Sequence, residues 1–429
     1  MSSLAVYINQ QRCGTLSEDK HGSLSFEYRL EYDGPALSLS MPKGLARYND
    51  AVVRPYLLGL LPDSKDVRAS IGRSHGVSGN NPFRLLSLIG LDCPGAVQIC
   101  AEGAAPPGSS SEGLVPLTNS EVSDRLAAIR ENAASAWTGS SHIEGRWSLG
   151  GQQAKIALRL EKGRWFECKG SSATTHIVKP GVAGMEHQAL VEYLSMKTAR
   201  KIGLPAAETE YLQFGKESAI AIARYDRRRL ENGEVERIHQ EDLCQALSVD
   251  PSVKYAEQGG PTTPCIIELL RSTGKNAREN IYRFILYLFF NYLIGATDAH
   301  AKNHSLLLLA DEEVRLAPLY DVASIAPYRS LKPQKRKPLR AALSIGGENR
   351  FGLVESANIE KMVRDLGLND VGLDAKTLSS RFRIMAAAIP PVLEEVVGAH
   401  AGLRGIDKVA PPMQSEIAAH CQRTIERLS

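Results

Sequence analysis

The chain is short of several things that would have defined its class. Its 429 residues include only seven cysteines, Cys13, Cys93, Cys100, Cys168, Cys244, Cys265 and Cys421. They are odd in number, scattered and without a Cys-x-x-Cys pair, which argues against a disulfide frame or a zinc knuckle and for reduced thiols. An excess of one charge is missing as well, since 51 basic against 48 acidic residues leave a net charge of only +3. That excludes a bulk polyanion binder and leaves open a local basic patch. No run reaches the roughly 18 uncharged apolar residues of a membrane span. The nearest, Phe284 to Thr297, is bounded by Arg283 and Asp298 and contains Asn291, so it reads as a buried core helix. The opening Met1-Ser2-Ser3-Leu4-Ala5-Val6 shows no basic segment leading into an apolar stretch, the pattern of a signal peptide. No repeat of fixed period is present. With 43% apolar and 23% charged residues, the expectation is a globular, cytoplasmic chain of two to four domains, at roughly 100–200 residues each.

What is there divides into segments. Short alternating runs at Leu4-Ala5-Val6-Tyr7-Ile8, Leu24-Ser25-Phe26-Glu27-Tyr28 and Leu37-Ser38-Leu39-Ser40-Met41 predict strands, with a turn at Asp33-Gly34-Pro35. Short helices are expected at Pro55 to Leu61, before Pro62-Asp63, and at Phe83 to Ile89, before Gly90. The small, polar run Ala104 to Ser111 reads as an exposed linker. Asn119 or Ser120 is expected to cap a helix running to about Asn132. From Trp147 to Tyr225 strands dominate around one helix, Glu186 to Ile202, ended by Gly203; from Gln240 onward helices dominate.

The densest polar cluster is Thr297-Asp298-Ala299-His300-Ala301-Lys302-Asn303-His304, directly after the apolar helix, with Tyr320-Asp321 following. An Asp that orients a hydroxyl, an Asn five residues on and a second Asp to hold Mg²⁺ are the parts of a phosphoryl-transfer site. A lysine in the same loop can neutralise phosphoryl charge. On spacing alone, a solvated turn after a core helix is the stronger reading. Upstream lie Ser148-Leu149-Gly150-Gly151-Gln152-Gln153-Ala154-Lys155, whose glycines let backbone N–H groups approach phosphate, and His176-Ile177-Val178-Lys179. Glu192 follows in a helix. Each alone reads as a hairpin turn or a surface charge, but in this order they favour a kinase. His300 and His304, four apart, lack a third ligand for zinc. The basic runs Lys332 to Pro338 and Arg227-Arg228-Arg229 read as solvated loops or as contacts for DNA or an acidic substrate, and Trp147 and Trp165 as core aromatics.

These motifs, with Leu60-Leu61-Pro62-Asp63, Gly90-Leu91-Asp92-Cys93-Pro94-Gly95-Ala96, Thr175, Arg224-Tyr225-Asp226-Arg227, Gln240-Glu241-Asp242, Lys254-Tyr255 and Gly259-Gly260-Pro261, are similar to those of the HipA family. That family comprises serine/threonine kinase toxins of type II toxin–antitoxin pairs, and the motifs here resemble the Escherichia coli type. The resemblance runs in family order from about residue 4 to 350; residues 360–429 carry no matching motif.

The resemblance implies an α+β, two-lobed protein-kinase-like fold with a small β-rich N-terminal subdomain and an all-helical C-lobe. It assigns 1–104 to that subdomain, 105–138 to a linker and helix, 139–232 to the kinase N-lobe and 233–429 to the C-lobe. ATP and Mg²⁺ are the implied cofactors. Asp298 is the implied base, His300 and Lys302 its catalytic-loop companions near the phosphates, and Asn303 and Asp321 the metal ligands. Ser148 to Lys155, Lys179, Glu192, Ala223-Arg224-Tyr225 as hinge, His300, Tyr320 and Asp321 are the implied nucleotide contacts, and Ser148 the inhibitory autophosphorylation site. The implied substrate is an aminoacyl-tRNA synthetase, notably the glutamyl enzyme, whose phosphorylation stops translation and promotes growth arrest and persistence. The implied partner is a HipB-like DNA-binding antitoxin that carries the pair to operator DNA, with no membrane involved. Two rival classes stay open, a kinase of small molecules or lipids and a non-catalytic scaffold.

Overall fold

The computed structural model describes residues 2–45, 47–104, 107–108, 113–138, 147–331 and 339–429. Its elements run β1 (Ser2–Ile8), β2 (Gln11–Glu18), β3 (Leu24–Tyr28), α1 (Asp50–Gly59), α2 (Lys65–Ser74), α3 (Pro82–Ile89) and β4 (Val97–Ala101). Next come β5 (Leu114–Leu117), α4 (Asn119–Glu131), α5 (Ser135–Thr138), β6 (Ile156–Glu161), β7 (Arg164–Cys168), β8 (His176–Lys179) and α6 (Gln188–Lys201). Strands β9 (Thr209–Phe214), β10 (Glu217–Ala223), β11 (Arg227–Arg229), β12 (Val235–Arg237) and β13 (Gln240–Asp242) precede α7 (Leu243–Ala246), α8 (Thr263–Arg271) and α9 (Ala277–Ile294). The chain closes with β14 (Ser305–Leu308), β15 (Val314–Leu316), β16 (Arg340–Ile345), β17 (Glu348–Arg350), α10 (Ser356–Asp365), α11 (Ala375–Ala399) and α12 (Ile406–Arg427). The fold is α+β.

The chain divides into two compact units. The first holds Met1–Pro180, Leu212–Lys254 and Ser305–Arg315; the second holds Gly181–Tyr211, Tyr255–His304 and Leu316–Ser429. Both are discontinuous, and the 232/233 boundary expected from sequence falls inside the β11–β12 hairpin of the first.

In the first unit, β3-β2-β1-β4 form one sheet. Alternation works here as expected: Leu4, Val6 and Ile8 of β1 reach a core with Leu16, Phe26, Tyr56 and Leu86. The strand Gln11–Glu18 was missed because its pattern is broken by Gly14. That glycine has a reason, since a Cβ there would lie 2.3 Å from the Glu27 carbonyl oxygen. The run Leu37 to Met41 is not a strand; only an isolated Ser38–Met41 bridge forms, because Ser38 and Leu39 turn inward to a buried acid described below.

The second sheet has the order β5-β7-β6-β8-β10-β9, so part of the expected 105–138 linker is a strand. Helix α4 starts with a capping box between Thr118 and Glu121, correcting the cap from Asn119 or Ser120. Trp147 and Trp165 are buried, as expected of core aromatics. The 139–146 boundary stretch, most of the Ala104 to Ser111 linker and the basic run Lys332 to Pro338 lie outside the described residues.

The second unit is built on α9, whose Phe284, Phe289 and Phe290 are fully buried. Phe289 stacks on Phe382 of α11 at 4.0 Å between ring centroids. Gly295, at φ 76°, ends α9 in the left-handed conformation. Helix α6 begins at Gln188, two residues later than expected. The unit is not all-helical, since β16 and β17 pair within it. Residues 360–429, silent in motif, form most of α10 and the long helices α11 and α12. Among the described residues, no helix is long and apolar enough to cross a membrane.

Candidate functional site

The candidate residues fall in both units. Ser148 to Lys155, Lys179 and Ala223 to Tyr225 belong to the first; Glu192, Asp298 to Asn303 and Tyr320-Asp321 belong to the second.

In the second unit, the left-handed turn at Gly295 delivers Asp298 to an exposed position. Its carbonyl accepts from the His300 N–H at 2.8 Å and from Asn303 Nδ2 at 2.9 Å. Its carboxylate accepts a short hydrogen bond from the Tyr255 hydroxyl. The Tyr255 ring also meets His300 edge-on at 4.8 Å. Because Asn303 Nδ2 is turned to the backbone, its Oδ1, a hard oxygen of the kind Mg²⁺ takes, faces the other way. Lys302 is buried, and its carbonyl accepts from the Tyr320 hydroxyl at 3.0 Å. That bond joins the 298–303 loop to the segment bearing Asp321.

Asp321 sits at φ 58°, a left-handed conformation uncommon for residues other than glycine and typical of functional sites when the surroundings enforce it. Here they do. The Ser324 hydroxyl donates to the Ile294 carbonyl at 2.6 Å, the Ile325 N–H to the Gly295 carbonyl at 3.0 Å, and the Ser324 N–H to Ser195 Oγ at 3.3 Å. Ser195 lies on α6 three residues after Glu192, and both are fully buried. Bonds thus tie Asp298, His300 and Asn303 together and join Lys302 to Tyr320, the residue before Asp321, with the helix of Glu192 braced against the segment that follows Asp321.

His304 is not part of it. It is buried against Phe284, and burial pushes its pKa down to about 4, so it is a neutral core histidine. Among the described residues, no three His, Cys, Asp or Glu side chains cluster as a metal cage. Magnesium needs none, since one or two carboxylates with substrate phosphates ordinarily hold it.

In the first unit, Lys179 is buried at the end of β8, paired in register with Ile220 of β10, and is not the surface charge that its isolated reading favoured. The glycine loop is docked. Ser148 is fully buried, its N–H donating to the Asp92 carbonyl at 3.0 Å and its hydroxyl to the Leu60 carbonyl at 2.6 Å. Lys155 Nζ donates to the Gly150 carbonyl at 2.7 Å. Gly151 sits at φ +100°, a backbone conformation that L side chains rarely adopt.

The expected hinge needs correction at Arg224. Its N–H is spent on the Thr175 carbonyl at 2.9 Å, so it is not a main-chain donor for adenine. Its side chain is buried in an ion-pair network: Arg224 with Asp92 and Asp226, Arg227 with the same two, and Arg237 with Asp92. Arg227 is therefore no solvated residue. Burial opposes charge on Asp92, but Arg227, Arg224 and Arg237 overcome it and hold its carboxyl far below the usual range. Burial, then the like charge of Arg224, pushes Arg227 down to about 10. The Tyr225 hydroxyl donates to Gln240.

Sequence reasoning gave no role to Tyr255, Asp63, Lys254 or Asp92. All four stood inside quoted motifs, and a charged or hydroxylated residue in a motif was the available signal.

Comparison with known proteins follows from this geometry. A model of the HipA-like C-terminal domain matches residues 147–393, and one of the HipA N-terminal domain matches residues 4–100. The Sinorhizobium fredii protein Y4mE, named for a kinase, is 31% identical over 91% of this chain and 92% of its own length. The serine/threonine-protein kinase toxin HipA of Shewanella oneidensis is 28% identical over 80% and 76%. A solved structure of Shewanella oneidensis HipA with HipB and operator DNA superposes with a TM-score of 0.81 at 25% identity, covering 98% of this chain and 97% of that one.

Proposed function

The chain belongs to the HipA family of kinases, and on that premise we propose that it is a cytoplasmic, ATP-dependent serine/threonine protein kinase and the toxin of a toxin–antitoxin pair. The observation that carries this reading is the second unit's cluster: one exposed carboxylate, Asp298, anchored through its own carbonyl by Asn303 and through its side chain by Tyr255.

In this reading the hydroxyl of a substrate serine or threonine gives its proton to the Asp298 carboxylate as its oxygen bonds to the γ-phosphorus of ATP. The bond from that phosphorus to the bridging oxygen breaks, and ADP leaves. Lys302 offsets charge on the transferred group, and His300 keeps the loop in place against Tyr255. Lys179 serves the α- and β-phosphates, and the Ser148 to Lys155 loop of the same unit covers them. Asn303 and Asp321, both oxygen donors, fit Mg²⁺ and would hold it. That ion, when bound, neutralises charge on the β- and γ-phosphates. Tyr320 supports Asp321 by its bond to the Lys302 carbonyl.

The proposed partner is a HipB-like DNA-binding antitoxin through which operator DNA is reached; the Shewanella oneidensis relative was solved with HipB and its operator. The proposed substrate is an aminoacyl-tRNA synthetase, glutamyl type, with arrested translation, growth arrest and persistence as consequence; the family resemblance alone supports this part. Incubation with labelled ATP, Mg²⁺ and either purified glutamyl-tRNA synthetase, cell lysate or a metabolite pool tests it. Phosphopeptides from protein support the reading. Label confined to metabolites favours the small-molecule kinase, and no label anywhere favours the scaffold.

A further inference from the structure

We propose that Asp63, paired with Lys254, is a positioning residue that latches the Ser148 to Lys155 loop and so governs access to Ser148. The proposal rests on reading that loop as the nucleotide loop with Ser148 as a phosphate acceptor. All of its residues lie in the first unit.

The contacts converge on Gly151. Its N–H donates to Asp63 Oδ1 at 3.2 Å, and its carbonyl accepts from the Asp63 N–H at 3.1 Å. The other carboxylate oxygen, Oδ2, pairs with Lys254 Nζ at 2.8 Å, and both side chains are 9% exposed. The turn that presents Asp63 is itself fixed, because Arg68 donates to the Pro62 carbonyl at 2.6 Å and to the Asp63 carbonyl at 2.9 Å. One carboxylate thus ties a loop amide to a cation, and shielding from water makes both interactions stronger than on the surface.

Ser148 lies three residues before this latch, with its hydroxyl against the Leu60 carbonyl. No phosphate can be built there, since carbonyl oxygen and phosphate oxygens repel and space is absent. Modification requires the serine to leave, and the loop that must move with it is held at Gly151. The strength of the Asp63–Lys254 pair therefore sets the population of the open loop. Removing Lys254 would take from the shielded Asp63 carboxylate the cation that pairs with its Oδ2, which favours the undocked state.

Hydrogen-exchange mass spectrometry on the full chain tests this. The Asp298→Gln background prevents self-modification during the measurement. In it, Asp63→Asn and Lys254→Met are expected to speed exchange across 148–155 about tenfold or more, with β1 and α3 peptides unchanged, and Asp63→Glu to restore part of the protection. Unchanged loop exchange in both variants would overturn the latch. Should Asp63→Asn fail to fold, Lys254→Met, which keeps the Gly151 contacts, answers the same question. Adding wild-type kinase with ATP and Mg²⁺ should then phosphorylate Ser148 faster in the opened variants. Faster exchange without any phosphate on Ser148 would keep the latch and reject the acceptor reading.

Discussion

The Tyr255 hydroxyl donates a hydrogen bond to the carboxylate of Asp298 while its ring packs on the edge of His300. One side chain therefore orients the proposed base and steadies the loop that carries it. Tyr255→Phe keeps the ring and removes only the bond. Hydrogen bonds to charged groups contribute about 1.5–3 kcal/mol, discounted here because Asp298 is exposed. The expected outcome is a fall in kcat of about tenfold with the KM for ATP unchanged. Steady-state kinetics at several ATP concentrations checks it; an unaltered kcat would remove Tyr255 from the mechanism.

Lys179 is buried on β8, where a lysine without a task would be costly. Lys179→Ala should raise the KM for ATP and lower kcat together, because the same ammonium holds and aligns the phosphates. An ordinary ATP dependence in this variant would reduce it to a structural lysine.

Glu241 makes the first unit sensitive to alkali. It is fully buried, bonded by the Ser38 hydroxyl and by the Leu39 N–H at 2.7 Å, and burial pushes its pKa up from 4.5 to about 8. The folded chain therefore binds a proton that the unfolded chain releases between these values. Stability from this group is full below pH 4.5 and declines as pH rises toward 8. At about 1.36 kcal/mol per unit, the loss amounts to a few kcal/mol. Glu241→Gln should flatten that decline and raise the melting temperature at pH 8. Identical pH profiles for variant and wild type would contradict the assignment.

Asp92 has the opposite sign. Its carboxyl is held charged by three buried arginines, so its contribution is present above the ordinary carboxyl range and lost as pH falls below it. Asp92→Asn leaves Arg224 and Arg227 paired with Asp226 and takes from Arg237 the carboxylate it pairs with, and should cost about 3–5 kcal/mol. Urea denaturation at neutral pH reads this directly, and a loss under 1 kcal/mol would show that the arginines find other partners.

Local signals were legible in the sequence where one physical cause dominates. Alternation found β1 and β3, a glycine stop found the end of α3, and the apolar run from Phe284 proved to be a core helix. The order of Asp298, Asn303 and Asp321 pointed to a cluster that the second unit assembles. What escaped was long-range. Leu37 to Met41 alternates like a strand but is recruited by Glu241, some two hundred residues away in sequence. Arg224 and Arg227 looked like hinge and solvated loop because nothing local to them reveals Asp92. Asp63 and Gly151 belonged to separate motifs until the fold joined them. Strands β16 and β17 are short enough to pass as loop between helices.

The central claim is that Asp298 and Asp321 carry phosphoryl transfer, and the most direct measurement follows label from γ-³²P-ATP into protein with Mg²⁺ present. The wild-type chain is compared with Asp298→Gln and Asp321→Asn, all folded by circular dichroism. Loss of a group that serves the transition state typically costs orders of magnitude in turnover. The account predicts labelling by the wild-type chain, reversible arrest on chelation, and a fall of about a hundredfold or more in both variants. Near wild-type labelling by either variant would contradict it.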